Sequence, residues 1–303
     1  MTTRVGRWSL ESVPTGDFAL DGGAMFGVVP KPLWSREHPA DEENRIDMTM
    51  RALLLRGEVE GTERIVLVDT GAGDKLTPKM CSIYRIDYGQ HDLLGSLAAA
   101  GVAPAQVTDV ILTHLHFDHC GGGTTLRDAT EHRDEMEEGE GPGAVPTFPN
   151  AAYHVQRAQW EWAMDPSERD RASFFGENFL PLKEHGQLHL VEGEVELLPD
   201  VHLVVVNGHT PGQQLPLIRT MRRTFFYCGD LFPTASHIPF PWIMGYDLQP
   251  LETLGEKKRL LPQAVEEEWV LYFEHDAGRE CSVAVATEEG YAAGDAFELA
   301  DCI

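Results

Sequence analysis

The sequence predicts an α/β fold in which β-sheets are covered by helices, and three observations carry the prediction. Short apolar runs rich in β-branched residues, such as Val66-Leu67-Val68 and Leu203-Val204-Val205-Val206, recur along the chain between glycines and polar clusters. Longer stretches with helical character alternate with them. Residues able to do chemistry stand where the apolar runs end. At 303 residues and 42% hydrophobic, with no glycine- or proline-rich linker, the chain can bury a two-layer or four-layer core and is expected to form a single domain over 1–303.

Near the amino terminus, Gly23-Ala24-Met25-Phe26-Gly27-Val28-Val29-Pro30 reads as an apolar, glycine-flanked loop. Residues 48–56 and 64–68 read as neighbouring strands joined by a turn at 57–61. A helix over 91–100 stops at Gly101, and 107–112 is the strand feeding the segment that follows. The polar excursion at 128–149, with Glu-Met-Glu-Glu-Gly-Glu-Gly-Pro-Gly inside it, reads as a solvated loop with the alternative of a lid. A strand at 151–156 leads into a helix beginning at 158–164. The second half repeats the scheme with strands at 188–191, 195–198, 203–206, 214–218 and 224–228, a helix at 250–265 and a strand at 269–273. No repeat is visible at the residue level.

Residues 113–123 read Thr-His-Leu-His-Phe-Asp-His-Cys-Gly-Gly-Gly, directly after Val110-Ile111-Leu112. His114, His116, Asp118 and His119 thus place metal-binding side chains on a loop leaving a buried strand. Imidazole and carboxylate together suit zinc, whereas calcium or magnesium wants oxygen alone. In extended chain alternate side chains share a face, so His114 and His116 can reach one ion. A tight turn after Phe117 sends Asp118 and His119 toward a second. Gly121 to Gly123 let the backbone fold away without a steric penalty.

This His-x-His-x-Asp-His run resembles the signature of the metallo-β-lactamase superfamily, and the other landmarks follow in order. Val66-Leu67-Val68-Asp69-Thr70-Gly71 is similar to the family's first strand and turn. Gly208-His209-Thr210-Pro211-Gly212 is similar to the segment that delivers a third histidine. Tyr227-Cys228-Gly229-Asp230 and Phe273-Glu274-His275 complete the pattern, which spans about residues 20 to 280. The resemblance implies the four-layer αββα metallo-β-lactamase sandwich and two zinc ions per chain, with manganese, iron or cobalt as substitutes. It implies that His114, His116 and His209 hold one ion, that Asp118, His119 and His275 hold the other, and that Asp230 bridges them with a hydroxide between. Asp118 and Asp230 are accordingly expected to be catalytic as well as ligating, and Asp69 to orient a ligand histidine from behind. His38, His91, His132, His154, His185, His189 and His202 read as ordinary surface or core groups.

Composition narrows the function. A formal charge of −25 supplies no basic track to replace phosphate counterions, which disfavours nucleic acid as a partner. No apolar run approaches a membrane span, and the first residues lack the apolar stretch of a secretion signal, so a soluble cytoplasmic protein is expected. Five cysteines without a Cys-x-x-Cys pair do not form a disulfide framework, and Cys120 and Cys228 read as packing residues beside the site.

The 23–30 segment resembles the loop that walls the pocket in the family's lactonase and organophosphate-hydrolase branch. Met25, Phe26, Trp160 and Trp242 are therefore expected to form an apolar, substrate-binding wall suited to an uncharged acyl or aryl group. Acyl-homoserine lactonases usually carry a tyrosine three residues after the bridging aspartate, and this chain has Pro233 there. His237 is the candidate general acid in its place. Gln213, where many relatives have histidine or serine, is expected to act behind the ligands. The leading expectation is a dinuclear zinc hydrolase acting on a small neutral ester, lactone or phosphotriester, with a homodimer left open as its assembly. The alternatives are a thioesterase like glyoxalase II, with Lys257, Lys258 and Arg259 as candidate clamps, an oxidoreductase like the mononuclear-iron persulfide dioxygenases, and a silent metal-binding protein.

Overall fold

In the computed structural model, which describes residues 3–5, 7–126, 143–219 and 223–302, two seven-stranded sheets face each other with helices on the outside. The first sheet opens with β1 (Thr3–Val5), β2 (Trp8–Asp21), β3 (Arg45–Val59) and β4 (Thr62–Val68), each antiparallel to the one before. It then continues in parallel through β5 (Asp109–Ile111). A two-stranded ribbon, β6 (Thr124–Leu126) and β7 (Ala144–Pro146), leaves the sheet before β8 (Ala152–Gln156) and β9 (Leu188–Val191) close it in parallel.

The second sheet runs in sequence order through β10 (Glu196–Leu198), β11 (Val201–Val206), β12 (Gln213–Arg219), β13 (Thr224–Tyr227), β14 (Val270–Tyr272), β15 (Cys281–Thr287) and β16 (Gly290–Ala293). Its one parallel pair is β13 with β14, joined by the crossover helix of residues 250–266. The helices are α1 (Gly22–Phe26), α2 (Lys31–Trp34), α3 (Pro78–Ile83), α4 (Leu93–Ala99), α5 (Phe117–Cys120), α6 (Arg157–Met164), α7 (Leu180–Glu184) and α8 (Pro250–Glu266).

Alternation along the strands builds the layers. In β3, Leu53 and Leu55 pack between the sheets against Val201, Phe225 and Tyr272, while Ala52 and Leu54 face outward. In β4, Val66 and Val68 join the inner core, and Ile65 and Leu67 turn to α4 and α6, where Leu93, Leu97 and Trp160 wait. α8 buries Thr253, Lys257, Leu260, Leu261 and Ala264, a helical stripe that covers the outer face of the second sheet. Local chemistry fixes the ends: the Asp92 side chain accepts from Gly95 N to start α4, and Pro250 opens α8 where no intrahelical N–H is needed. The four layers are those of the expected αββα sandwich.

Every strand and helix read between residues 48 and 273 has its counterpart, with ends that shift by a few residues. Three expectations need correction. The 23–30 segment is not simply a loop, because Asp21 accepts a hydrogen bond from Ala24 N and nucleates α1. The 14-residue β2 and the terminal β15 and β16 were not foreseen. The excursion at 128–149 contains β7, whereas its stretch 128–142 lies outside the described residues. Among the described residues no helix is long and apolar enough to cross a membrane.

Candidate metal centre

The site forms where strands of both sheets end. β4 stops at Val68, and Asp69 follows in the left-handed region at φ 56°, a conformation uncommon outside glycine. The geometry turns its carboxylate back under the next strand. There it accepts from Thr113 N and Thr113 Oγ1, both at 2.7 Å, and lies 3.0 Å from His119 Nδ1. The chain beyond β5 carries His114 and His116 in extended form, then turns into α5, which begins at Phe117 and holds Asp118 and His119. Gly121 and Gly122, which follow it, are required by close approach rather than by unusual dihedrals, whereas a side chain at Gly123 would meet only ordinary contacts. A Cβ on Gly121 would meet Ala72 O at 2.1 Å, and one on Gly122 would meet Thr70 O at 2.3 Å.

Two clusters result. His114, His116, His209 and Asp230 bring one ligand atom each within 4.8 Å of one another, and so do Asp118, His119 and His275. In the first, His116 Nδ1 sits 3.0 Å from His114 Nε2 and 3.1 Å from His209 Nε2. Three buried imidazole nitrogens converging on one point cannot all satisfy one another with protons, but they suit a soft-to-borderline cation. In the second, His275 Nε2 lies 3.2 Å from His119 Nε2 and 4.0 Å from Asp118 Oδ2. Asp230 stands between the two: Oδ2 is 3.1 Å from His209 Nε2 and 3.5 Å from His119 Nε2, and Oδ1 is 3.3 Å from His275 Nε2. Beyond its contact with His275, Oδ1 makes no well-formed hydrogen bond among the described residues, which suits a ligand atom.

Partners behind the ring set the orientation of His209 and His275. His209 Nδ1 is 3.0 Å from Asp247 Oδ1, and Asp247 is itself held by the Thr253 hydroxyl. His275 Nδ1 donates to Thr49 O at 2.9 Å, leaving Nε2 free to ligate. Burial lowers the pKa of His114 and His116 well below the usual imidazole value, with the neighbouring histidines adding to the effect, so both are neutral donors. Burial opposes charge on Asp230 too, yet His119 and His209 outweigh it and keep the carboxyl ionised. Burial also opposes charge on His119, where the carboxylates of Glu274, Asp230 and Asp118 prevail and raise its pKa. The residues present therefore fit a pair of transition-metal ions.

A cavity of about 300 Å³ opens over both clusters. His116, Asp118, His209, Asp230 and His275 line its floor, and Leu20, Met25, Met48 and Met244 its apolar wall. Of the four wall residues expected from sequence, Met25 alone lines this cavity. Phe26 is fully buried between Trp34, His237 and Trp242, and Trp160 packs on Phe179 among the helices outside the first sheet. Trp242 touches Phe26 edge-on and supports the wall from behind.

His237 is likewise displaced from the role of general acid. Its Nε2 faces Met25 O at 2.9 Å and must be the N–H donor, so Nδ1 accepts from the Thr234 hydroxyl at 2.8 Å. Burial pushes its pKa down to about 3, so the ring is neutral and lacks the acidic imidazolium proton, and its one N–H is engaged by Met25 O. It braces Met25 instead. Cys120 and Cys228 are buried packing residues, and burial pushes the Cys120 thiol up to about 12.

The cavity also holds groups that sequence reading missed. Tyr84, just past α3, stacks on Phe117 at 4.8 Å, and burial with the nearby Asp118 raises its phenol pKa. Tyr246 and Arg169 complete the rim, with Arg169 donating to Gly245 O. No motif marks these residues, since each comes from a loop that only the folded chain brings over the floor. Asp247 carries a weak signal, a lone carboxylate just before a helix, and nothing local ties it to His209.

Comparison with known proteins agrees with this geometry. The profile of the metallo-beta-lactamase superfamily matches residues 54–275, which include all seven residues of the two clusters. Over 251 residues the chain is 28% identical to the N-acyl homoserine lactonase AiiA of Bacillus thuringiensis subsp. kurstaki, a match that covers 76% of this chain and 84% of that one. A probable metal-dependent hydrolase from Staphylococcus aureus superposes with a TM-score of 0.83 at 25% identity, over 99% of this chain and 100% of the other. AidC, a dizinc quorum-quenching lactonase in complex with the product N-hexanoyl-L-homoserine, shares the fold with a TM-score of 0.76 at 18% identity, covering 98% of each chain. With a matching profile over most of its length and a histidine-carboxylate floor at the mouth of its sandwich, this chain belongs to the metallo-beta-lactamase superfamily and is a metal-dependent hydrolase.

Proposed function

We propose that the protein is a dinuclear zinc hydrolase of neutral esters, lactones or phosphotriesters. The observation that carries the reading is the pair of clusters joined by Asp230 beneath an apolar cavity. His114, His116 and His209 would hold one ion, Asp118, His119 and His275 the other, and Asp230 both. Bound there, the ions would supply Lewis-acid polarisation of the scissile group and an acidified water.

The chain's own residues do the rest. Leu20, Met25, Met48 and Met244 take up an apolar acyl or aryl group and exclude bulk water. The Tyr84 phenol, kept protonated by burial, lines the cavity and would serve there as a donor to a substrate oxygen. Arg169 adds a cation at the rim for an acceptor group beyond the scissile bond. The relatives named lactonases favour a lactone among the candidates.

The clamps expected for a thioesterase do not line the cavity. Lys257 is fully buried and donates to Pro239 O and Trp242 O, Lys258 stands over the Phe240 ring, and Arg259 pairs with Glu194. The test compares kcat/KM for a neutral lactone, a neutral aryl ester, a glutathione thioester, an anionic phosphodiester and a β-lactam at fixed salt. Neutral substrates should lead, with activated aryl leaving groups favoured. Faster turnover of the thioester, the phosphodiester or the β-lactam would refute the reading.

A further inference from the structure

Behind His119 the structure holds one carboxylate more than orientation of an imidazole requires. Asp69 Oδ2 and Glu274 Oε2 both lie 3.0 Å from His119 Nδ1, and all three side chains are fully buried. One ring N–H can serve only one well-directed acceptor. Asp69 takes it and is secured in addition by the Thr113 N–H and hydroxyl. Glu274 keeps its close ion-pair contact with the ring but makes no well-directed hydrogen bond to it. A carboxylate removed from water without partners is costly unless a positive charge stands nearby to offset it. The nearest place for such a charge is the cluster of Asp118, His119 and His275, reached through the same imidazole ring.

We infer that Glu274 is a positioning residue for the metal centre: its buried carboxylate, set against the back of His119, strengthens the hold of that histidine on the ion it shares with Asp118 and His275. The inference rests on the two-ion ligand set proposed above. A carboxylate behind a ligand histidine orients the ring and increases its basicity toward the metal, and loss of such a partner typically weakens metal affinity about 10–100-fold. The first cluster has one carboxylate in this position, Asp247 behind His209, whereas the second has both Asp69 and Glu274. The two ions should therefore differ in what holds them. An additional ion between Asp69, His119 and Glu274 is disfavoured, because both oxygens of Asp69 are already engaged by Thr113 and the place has no exposure to solvent.

The test titrates zinc into metal-stripped full-length protein in competition with a chromophoric chelator, and measures the melting temperature of the metal-free form. Glu274→Gln keeps the shape and removes the charge. It should bind one of its two zinc ions, that of the Asp118, His119 and His275 cluster, about 10–100-fold less tightly than the parent, while the metal-free melting temperature changes little, because removing the buried charge offsets the loss of its contact with His119. Glu274→Asp, which withdraws the carboxylate from His119, should weaken zinc in the same direction and serves if the glutamine variant does not fold. Parental affinity in either folded variant would overturn the inference, as would a metal-free melting temperature lowered in step with affinity, which marks a merely structural role. Three zinc ions in the parent falling to two in Glu274→Gln would overturn it as well, by making Glu274 a ligand. If the parent itself binds fewer than two ions, the fault lies with the ligand set rather than with Glu274.

Discussion

At the scale of the residue, the site separates groups by what holds them. Asp230 contacts histidines of both clusters, so Asp230→Asn should remove the charge that joins them and lower kcat/KM at least 100-fold, and His116→Ala should do the same. Cys120→Ser touches only packing and should leave turnover within a few-fold. Full activity in either ligand variant with its metal retained would contradict the assignment. Asp247→Ala should weaken metal binding about 10–100-fold by freeing His209 to rotate, measured by chelator competition. Tyr84→Phe should lower kcat more for alkoxide than for aryl-oxide leaving groups, since a poor leaving group needs its donor most.

The clustering of His114, His116, Asp118 and His119 was legible from their short spacing, whereas His209, Asp230 and His275 were reached only through the family resemblance. The wall was not legible. Met25 was found, but Phe26, Trp160 and Trp242 are aromatic residues whose burial sequence can foresee without saying which cavity, if any, they face.

At the scale of the element, α8 does more than cover a sheet. Lys257 projects from it into the core, with its ammonium bonded to Pro239 O and Trp242 O, and so fixes the segment that backs the cavity. Burial pushes its pKa down to about 7 from 10.5. Between those values the unfolded chain binds a proton that the folded chain does not, so this group's contribution to stability rises with pH across the window. Relative to Lys257→Met, the parent should gain up to ~1.4 kcal/mol per pH unit from pH 7 to pH 10, read from denaturant unfolding at each pH. A difference that is flat or falls with pH would show that the lysine keeps its charge in the folded state.

Strands with dense β-branched cores, β4 and β11 among them, were read from sequence because both faces are apolar. β2 escaped because Ser9, Glu11, Ser12, Pro14 and Gly16 interrupt it and its register shifts between Pro14 and Gly16. β15 and β16 escaped because glycine, alanine and polar residues dominate a hairpin at the sheet's edge.

At the scale of the whole molecule, the two halves of the chain meet in one inner core where Trp8, Leu55 and Val68 pack with Val201, Phe225 and Tyr272. We propose that 1–303 folds as a single unit, which predicts one calorimetric transition, raised by zinc and lowered by chelation. Two separated transitions in the metal-free protein would argue for two units. The layer order was legible because alternating strands and helices admit few arrangements, and the family resemblance chose among them. The charge of −25 gave no sign of Arg169 at the cavity rim.

The central claim is that two ions share one bridging carboxylate and drive hydrolysis. It is tested most directly by metal quantitation on the purified protein, with hydrolysis of a neutral lactone followed before and after chelation. The account predicts close to two zinc or equivalent transition-metal ions per chain, loss of hydrolysis on chelation and recovery on adding zinc back. A single iron per chain with sulfur-oxidising activity, or hydrolysis that survives complete metal removal, would contradict it.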